Sequence, residues 1–179
     1  VDWYQALDKK NKLVFRASAK FGFLGYYSKK TGLSPFERFE VGGNGLPSNI
    51  VLFGQDIISQ RGYGVYSDDG GDAVFNKFTM ELRYPFSLNP SATIYGLVFA
   101  EAGNSYRTFK TYDPFSLNKS VGIGIRAFLP MFGLLGVDYG IRFDQPKNDE
   151  DNQIQSAKGF FDYIAKNGSF TIILGFEPE

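Results

Sequence analysis

The chain has 179 residues with 19 basic and 19 acidic side chains, so no net charge draws it to nucleic acid or anionic lipid. It has no histidine and no cysteine, which excludes disulfides, thiol chemistry, histidine-based catalysis and most zinc sites. Its 19 phenylalanines, 11 tyrosines and 21 glycines are typical of a β-rich chain. No segment approaches the ~18 apolar residues of a membrane helix, but alternating barrel strands of ~9–11 residues escape such a search.

Six segments alternate apolar and polar residues with a period of two, which predicts β-strands. They cover residues 12–26, 74–86, 92–103, 118–130, 134–144 and 169–177. The clearest is 134–144, where Leu135, Val137 and Tyr139 alternate with glycine and charged residues. Most of these strands are longer than the ~5–6 residues of an average strand in a soluble protein.

Short and long connections alternate between the predicted strands. Residues 87–91 and 130–133 form short turns, whereas 103–117 and 145–168 are long and polar, and the segment 27–73 is longer still. Antiparallel strands with turns at one end and loops at the other are typical of outer-membrane barrels. The predicted fold is therefore an all-β, antiparallel transmembrane barrel.

The two faces of the predicted strands support this interpretation over a soluble β-sandwich. One face is a continuous aliphatic and aromatic band, and the other carries Arg, Lys, Asp and Glu beside glycines, as a water-containing lumen allows. Aromatic residues near the short turns suit a membrane-boundary girdle: Tyr84, Phe86, Phe128, Met131 and Phe132. Six strands are fewer than the ~8 of the smallest common membrane barrels, so the chain is predicted to be part of a larger one.

The segment 27–73 contains the motif Arg61-Gly62-Tyr63-Gly64. It is either a surface turn with a solvated arginine or a loop that folds back into the lumen. In the second case Arg61 would meet Glu81 and Glu101, which lie on the polar faces of adjacent predicted strands. A guanidinium suits this role because it can bond two carboxylates and does not lose its proton. The glycine after it would permit close backbone approach.

The order of several motifs resembles that of a known family. These are GG followed by RGYG, then FTMELRYPF, IYGLVFAEAGN, VGIGIRAFLPMFGLLGVDYGIRFD and GSFTIILGF. Together they resemble the BamA family of outer-membrane protein assembly factors, in the bacterial surface-antigen superfamily. The resemblance implies that the chain is the C-terminal portion of an outer-membrane barrel domain (1–179), the last six strands of sixteen. In that family two acidic wall residues hold the motif arginine of the sixth extracellular loop inside the barrel, and Arg61, Glu81 and Glu101 match these positions. Gln60 stands where the family often has Val.

The resemblance also implies a function, which is insertion and folding of barrel proteins in the bacterial outer membrane through a lateral gate. The implied partners are outer-membrane lipids, unfolded β-barrel client proteins and, through regions outside this chain, the Bam lipoproteins; neither nucleic acid nor a cofactor is expected. The last strand would form one side of the gate, through Phe170, Ile172, Leu174, Gly175 and Phe176. The chain ends Phe176-Glu177-Pro178-Glu179, whereas the family usually ends with an aromatic residue.

Two other function classes stay open. One is a secretion pore of the TamA or two-partner transporter type, which shares the arginine loop, and the other is a soluble β-sandwich binding module. Residues 67–72 are rich in Asp and Gly but lack the final glutamate of a calcium loop, so no metal site is predicted. Asp138 and Asp144 share an inner face with Arg142, but without histidine the chain is predicted not to be an enzyme.

Overall fold

The computed structural model describes residues 1–10, 12–28, 30, 32–34, 36–43, 55–64, 71–131, 133–144 and 154–175. The strands in these ranges are β1 (Asp2–Ala6), β2 (Val14–Phe23), β3 (Arg38–Val41), β4 (Gln55–Ile58), β5 (Val74–Asn89), β6 (Ala92–Tyr106), β7 (Asn118–Leu129), β8 (Gly133–Arg142) and β9 (Gly168–Gly175). One α-helix, α1 (Phe160–Asn167), precedes β9, and a short 3₁₀ turn spans Phe109–Thr111. No helix among the described residues is long and apolar enough to cross a membrane.

Seven strands form one antiparallel sheet in the order β1-β2-β5-β6-β7-β8-β9, while β3 and β4 form a separate parallel pair. Apart from that inserted pair, each strand lies beside its neighbour in the chain. Within the described residues, β1 and β9 are the two edges of the sheet. The predicted antiparallel all-β architecture is confirmed, and in the part of the chain that is described the second sheet is only the two-stranded pair β3–β4, smaller than either layer of a sandwich.

The strands differ in detail from the predicted segments. Strand β1 was not predicted, because Asp2–Ala6 is short and its first four residues are all exposed, so it shows no alternation. Strands β5 and β6 continue to Asn89 and Tyr106, with a bulge between Pro85 and Ser87 near the turn. The segment predicted as loop 145–168 contains α1, and loop 27–73 contains β3 and β4.

The sheet exposes its apolar face and buries its polar one. Side chains of the apolar rows are largely open, with Met80 55%, Val98 56% and Ile123 62% exposed. On the opposite face Glu81 and Asp138 are 3% and 0% exposed. A water-soluble sheet buries its apolar face, so this inversion is the pattern of a barrel wall in a membrane.

The loop between β2 and β5 covers the polar face. The pair β3–β4 lies against the wall there, where the Phe39 ring meets the Phe75 ring edge-on at 4.7 Å between centroids. The residues after β4 go deepest, since Gln60 and Arg61 are 1% and 3% exposed. A loop segment and the inner wall therefore share one buried polar region, which contains the candidate site.

Candidate functional site

The β3–β4 pair presents a tight turn that carries Arg61. After β4, the chain stays hydrogen-bonded to Gly43, which follows β3. Gln60 N donates to Gly43 O at 3.1 Å, and Gly43 N donates to Tyr63 O at 2.9 Å. Tyr63 N also donates to Gln60 O at 3.3 Å, which closes a turn with Arg61 and Gly62 at its centre. Gly62 has φ +94°, a conformation that other residues adopt rarely at this position of a turn.

The turn lies directly on the backbone of the wall. A Cβ added at Gly62 would come within 3.2 Å of the Gly140 carbonyl carbon and of Ser120 Cβ. A Cβ added at Gly140, on β8, would lie 2.6 Å from the Gly62 nitrogen. Glycine on both sides therefore allows the loop backbone to contact the strand backbone, and this contact sets how deep Arg61 reaches.

Three carboxylates from three strands surround the Arg61 guanidinium. Its Nη2 lies 2.7 Å from Glu81 Oε1 and 2.8 Å from Glu101 Oε1, and its Nη1 lies 3.2 Å from Asp138 Oδ2. The backbone N of Arg61 donates to Glu101 Oε2 at 2.8 Å, so Glu101 holds both the backbone and the side chain. Because all four groups are buried, each charge depends on the others for compensation.

An aromatic ring completes the surroundings of Arg61. The guanidinium carbon lies 3.6 Å from the centroid of the Phe99 ring, on β6. Phe99 is 2% exposed, because it lies on the buried polar face of its strand. A cation over a desolvated aromatic face is stabilised by the ring quadrupole, so Phe99 supports the guanidinium from the side that the carboxylates leave open.

Further cations join the same network. Lys77 Nζ lies 3.2 Å from Glu101 Oε1, Arg83 Nε donates to Glu81 Oε2 at 2.9 Å, and Arg126 Nη2 donates to Asp138 Oδ2 at 2.5 Å. Each acid therefore has a wall cation as well as Arg61. The network links the loop to strands β5, β6, β7 and β8, and it distributes the positive charge that the acids require.

The electrostatics fit a structural role for Arg61. Burial would lower the pKa of the guanidinium, but the carboxylates of Glu101 and Glu81 outweigh burial and hold that pKa above its ordinary value. Arg61 therefore stays charged at every pH that the protein meets and cannot exchange a proton with a substrate. The arrangement can hold a loop in place, which needs permanent charge and fixed geometry.

Gln60 and Tyr63, the first and last residues of the turn, bind the wall at the loop ends of β7 and β8. Gln60 Nε2 donates to Asn118 O at 2.6 Å. The Tyr63 hydroxyl donates to the carbonyl oxygens of Lys119 and Asp144, at 2.8 Å and 2.9 Å. Gly64, the last residue of the motif, is exposed.

The family of the chain follows from a comparison with known proteins. Residues 1–161 match the model of the Omp85 superfamily domain. The chain belongs to the Omp85 superfamily. This is a family of outer-membrane β-barrels, so the seven-stranded sheet is a section of barrel wall with its apolar face toward the membrane. The Arg61 network then lies on the inner side of that wall.

One curated relative is also similar. It is the outer membrane protein OmpK of Vibrio parahaemolyticus serotype O3:K6 (strain RIMD 2210633), which is 28% identical over 169 residues. The match covers 88% of this chain and 61% of the relative, so the Omp85 chain spans about three fifths of the length of that protein.

The structure brings together the predicted residues Arg61, Glu81 and Glu101, with Gly62 and Tyr63 in the same turn. The sequence analysis missed Asp138 and Phe99 as neighbours of Arg61. The alternation placed Asp138 on the inner face of its strand. Phe99 lies two residues before Glu101 and therefore shares its face, which is a signal that could have found it.

The residues predicted for the gate lie on β9, the edge of the described sheet. Phe170, Ile172 and Leu174 are 75%, 59% and 62% exposed on the outward face, and Gly175 is the last residue of the strand. Phe176 and residues 177–179 lie outside the described residues. So do Phe132, of the predicted girdle, and 67–70, most of the segment weighed as a calcium loop.

Proposed function

We propose that this Omp85 chain is the C-terminal portion of a BamA-type barrel, which inserts and folds other β-barrel proteins in the bacterial outer membrane. The observation that carries the proposal is the Arg61 network, which ties an internal loop to consecutive strands and ends one strand short of the edge strand β9. The proposed role requires no catalysis and no cofactor.

The inner loop acts as a brace in this proposal. Glu81, Glu101 and Asp138 hold Arg61 from β5, β6 and β8. A wall fixed in this way keeps its curvature while the seam beyond β8 opens. Because buried charges tolerate little displacement, the loop and the wall move as one body.

The edge strand is the other working part. Strand β9 pairs with β8 on one side only in the described sheet, and its eight residues are half as many as the 16 of β5. An unpaired strand edge is a template for a further strand, so a client could add to β9 by main-chain hydrogen bonds. Phe170, Ile172, Leu174, Gly175 and Phe176 are the proposed gate residues, and the outer-membrane lipids would surround them.

The test uses the full-length protein in cells depleted of their own copy. Arg61→Ala and the double variant Glu81→Lys/Glu101→Lys should both lower the amounts of other outer-membrane barrels. Arg61→Lys should also fail in part, because an ammonium cannot reproduce the planar fork. Arg107→Ala, at an exposed arginine outside the network, is the matched control. Unchanged barrel levels and growth in the Arg61→Ala strain would contradict the proposal.

A secretion pore of the TamA or two-partner type is the second candidate. The charged inner wall supports it, since Arg16, Lys77 and Arg83 line the polar face as in a water-filled channel. The same strains separate the two functions. Normal barrel levels with reduced release of an exported protein would favour the pore, whereas reduced barrel levels favour insertion.

A further inference from the structure

Helix α1 lies on the outside of the barrel wall, away from the Arg61 network. The Tyr139 hydroxyl donates to Ile164 O at 2.7 Å, and the Tyr163 hydroxyl donates to Arg142 O at 2.9 Å. The Tyr163 ring also stacks on Phe143, with 6.3 Å between centroids. Tyr139 and Phe143 belong to the outward row of β8, the row of Val137, so the helix covers the membrane side of this strand.

The helix leaves two aromatic residues uncovered. Phe160 and Phe161 are 74% and 85% exposed, with their rings edge-on at 5.7 Å between centroids. Tyr163 and Ile164, by contrast, are partly buried, with contacts to the wall. Two adjacent phenylalanines that point away from the protein form a compact apolar patch, which water solvates poorly.

The patch lies at the loop end of the wall, where the membrane boundary is expected. Helix α1 runs directly into β9, whose first residue, Gly168, pairs with Ile141 near the end of β8. Other aromatics gather at the loop ends of the sheet, since the Tyr112 ring lies 5.8 Å from Phe21 and 5.9 Å from Phe109. Aromatic side chains concentrate at the membrane–water boundary of outer-membrane barrels.

Cations flank the aromatic pair. Lys158 precedes the helix and is exposed, and Lys166 lies in the last turn with its Nζ 3.1 Å from Asp162. Short amphipathic helices with aromatics on one side and lysines at their margins bind in the plane of a membrane surface. Their rings enter the acyl region and their ammonium groups reach the phosphates.

We propose that α1 is an interfacial helix, which inserts Phe160 and Phe161 into the outer leaflet beside the edge strand. The helix that carries the patch packs on the lipid-facing row of β8, through Tyr139 and Phe143, and this position identifies a lipid surface as the occupant. The helix would hold the loop end of β9 at a fixed height in the membrane. This inference depends on the barrel fold and not on the proposed insertion activity.

The test measures the depth of single spin labels in the full-length protein, reconstituted in phosphatidylcholine vesicles with a fraction of phosphatidylglycerol. This chain has no cysteine, so Phe161→Cys gives one label within it, and cysteines elsewhere in the protein are replaced by serine. The ratio of oxygen to nickel-chelate accessibility reports immersion. Ile123→Cys, 62% exposed on β7, is the lipid reference, and Phe115→Cys, 87% exposed in the loop 107–117, is the water reference.

A ratio at position 161 several-fold above that at 115 and close to that at 123 supports the proposal. A ratio equal to that at 115 overturns it, because the patch would then be in water. Low accessibility to both reagents also overturns it, because a protein contact would then cover the patch.

A second experiment controls for a spin label that partitions into lipid by itself. With the label at Ala165→Cys, Phe160→Ser/Phe161→Ser should lower the oxygen to nickel-chelate ratio at least twofold, while Phe115→Ser should not. Heat-modifiable migration on gels would verify that each variant is folded. No change in the ratio of a folded double variant would contradict the insertion of the two rings.

Discussion

The wall strands β5–β8 and the edge strand β9 belong to one sheet but are held in different ways. Each of the strands β5–β8 has a neighbour on both sides, and buried charges tie this part of the sheet to the inner loop. Strand β9 has eight residues, one neighbour in the described sheet and no ionisable side chain. The difference teaches that buried charges reinforce the main-chain hydrogen bonds of β5–β8, whereas β9 is held to β8 by main-chain hydrogen bonds and uncharged side-chain contacts such as Phe170 on Tyr139.

The largest effect should come from Arg61→Ala, which would remove the charged anchor that distinguishes β5–β8 from β9. It removes a buried charge from three carboxylates, and breaking one partner of a buried ion pair costs about 3–5 kcal/mol. The free energy of unfolding of the full-length protein in detergent should fall by that order, and the loop should become accessible to protease. Arg107→Ala is the control, and an equal change in both variants would mean that the network does not stabilise the wall.

Asp138→Asn should have the next largest effect on stability. Asp138 is 0% exposed and serves both Arg61 and Arg126, so the neutral amide leaves Arg126 with a buried and uncompensated charge. We expect a loss of about 1.5–3 kcal/mol, the range for a hydrogen bond to a charged group. Asp144→Asn, at the partly exposed end of the same inner row, is the matched control. If chemical denaturation gives the same midpoint for both, Asp138 is not a third anchor.

Gly62→Ala tests the depth of the loop without touching a charge. The positive φ and the contact with Gly140 both oppose a methyl group, and strained backbone of this kind costs about 1–3 kcal/mol. Thermal unfolding in detergent should show the loss. Gly64→Ala, at the exposed end of the motif, should be close to neutral, and a similar loss in both variants would argue against the close approach.

The smallest difference should appear in hydrogen exchange of the unmodified protein in lipid nanodiscs. Amides of β9 should exchange about tenfold faster than those of β7, a difference of about 1.4 kcal/mol in local opening free energy. Mass spectrometry of peptides from Asn118–Leu129 and Gly168–Gly175 would give the two rates. Equal protection would remove the contrast between wall and edge on which the proposed gate depends.

The sequence predicted most accurately which face of the sheet each side chain occupies. The period of two separated Met80 from Glu81 and Val137 from Asp138, because neighbouring side chains on a strand point to opposite faces. It therefore identified the acids that point to the inner face. The motif placed Arg61 on a loop, and charge complementarity together with the family resemblance connected it to Glu81 and Glu101.

The sequence did not predict two features, which are the contact of Asp138 with Arg61 and helix α1. The alternation along β8 predicted that Asp138 lies on the inner face. It could not predict the 3.2 Å distance to Arg61, because the depth of the loop is set by the backbone contact between Gly62 and Gly140. Helix α1 was overlooked although Phe160, Tyr163 and Ile164 have helical spacing, since eight residues carry little periodic signal.

The paired glycines at the contact between loop and wall have a consequence for how the protein can change over time. Gly62 and Gly140 face the same gap, so a methyl group at either position pushes the loop away. Once the loop has moved, a second methyl group at the other position adds little further cost. The two substitutions should be strongly epistatic, with a combined effect smaller than their sum. A lineage that lost one glycine would thus be free to lose the other, and both should vary together among relatives that keep the loop outside the barrel.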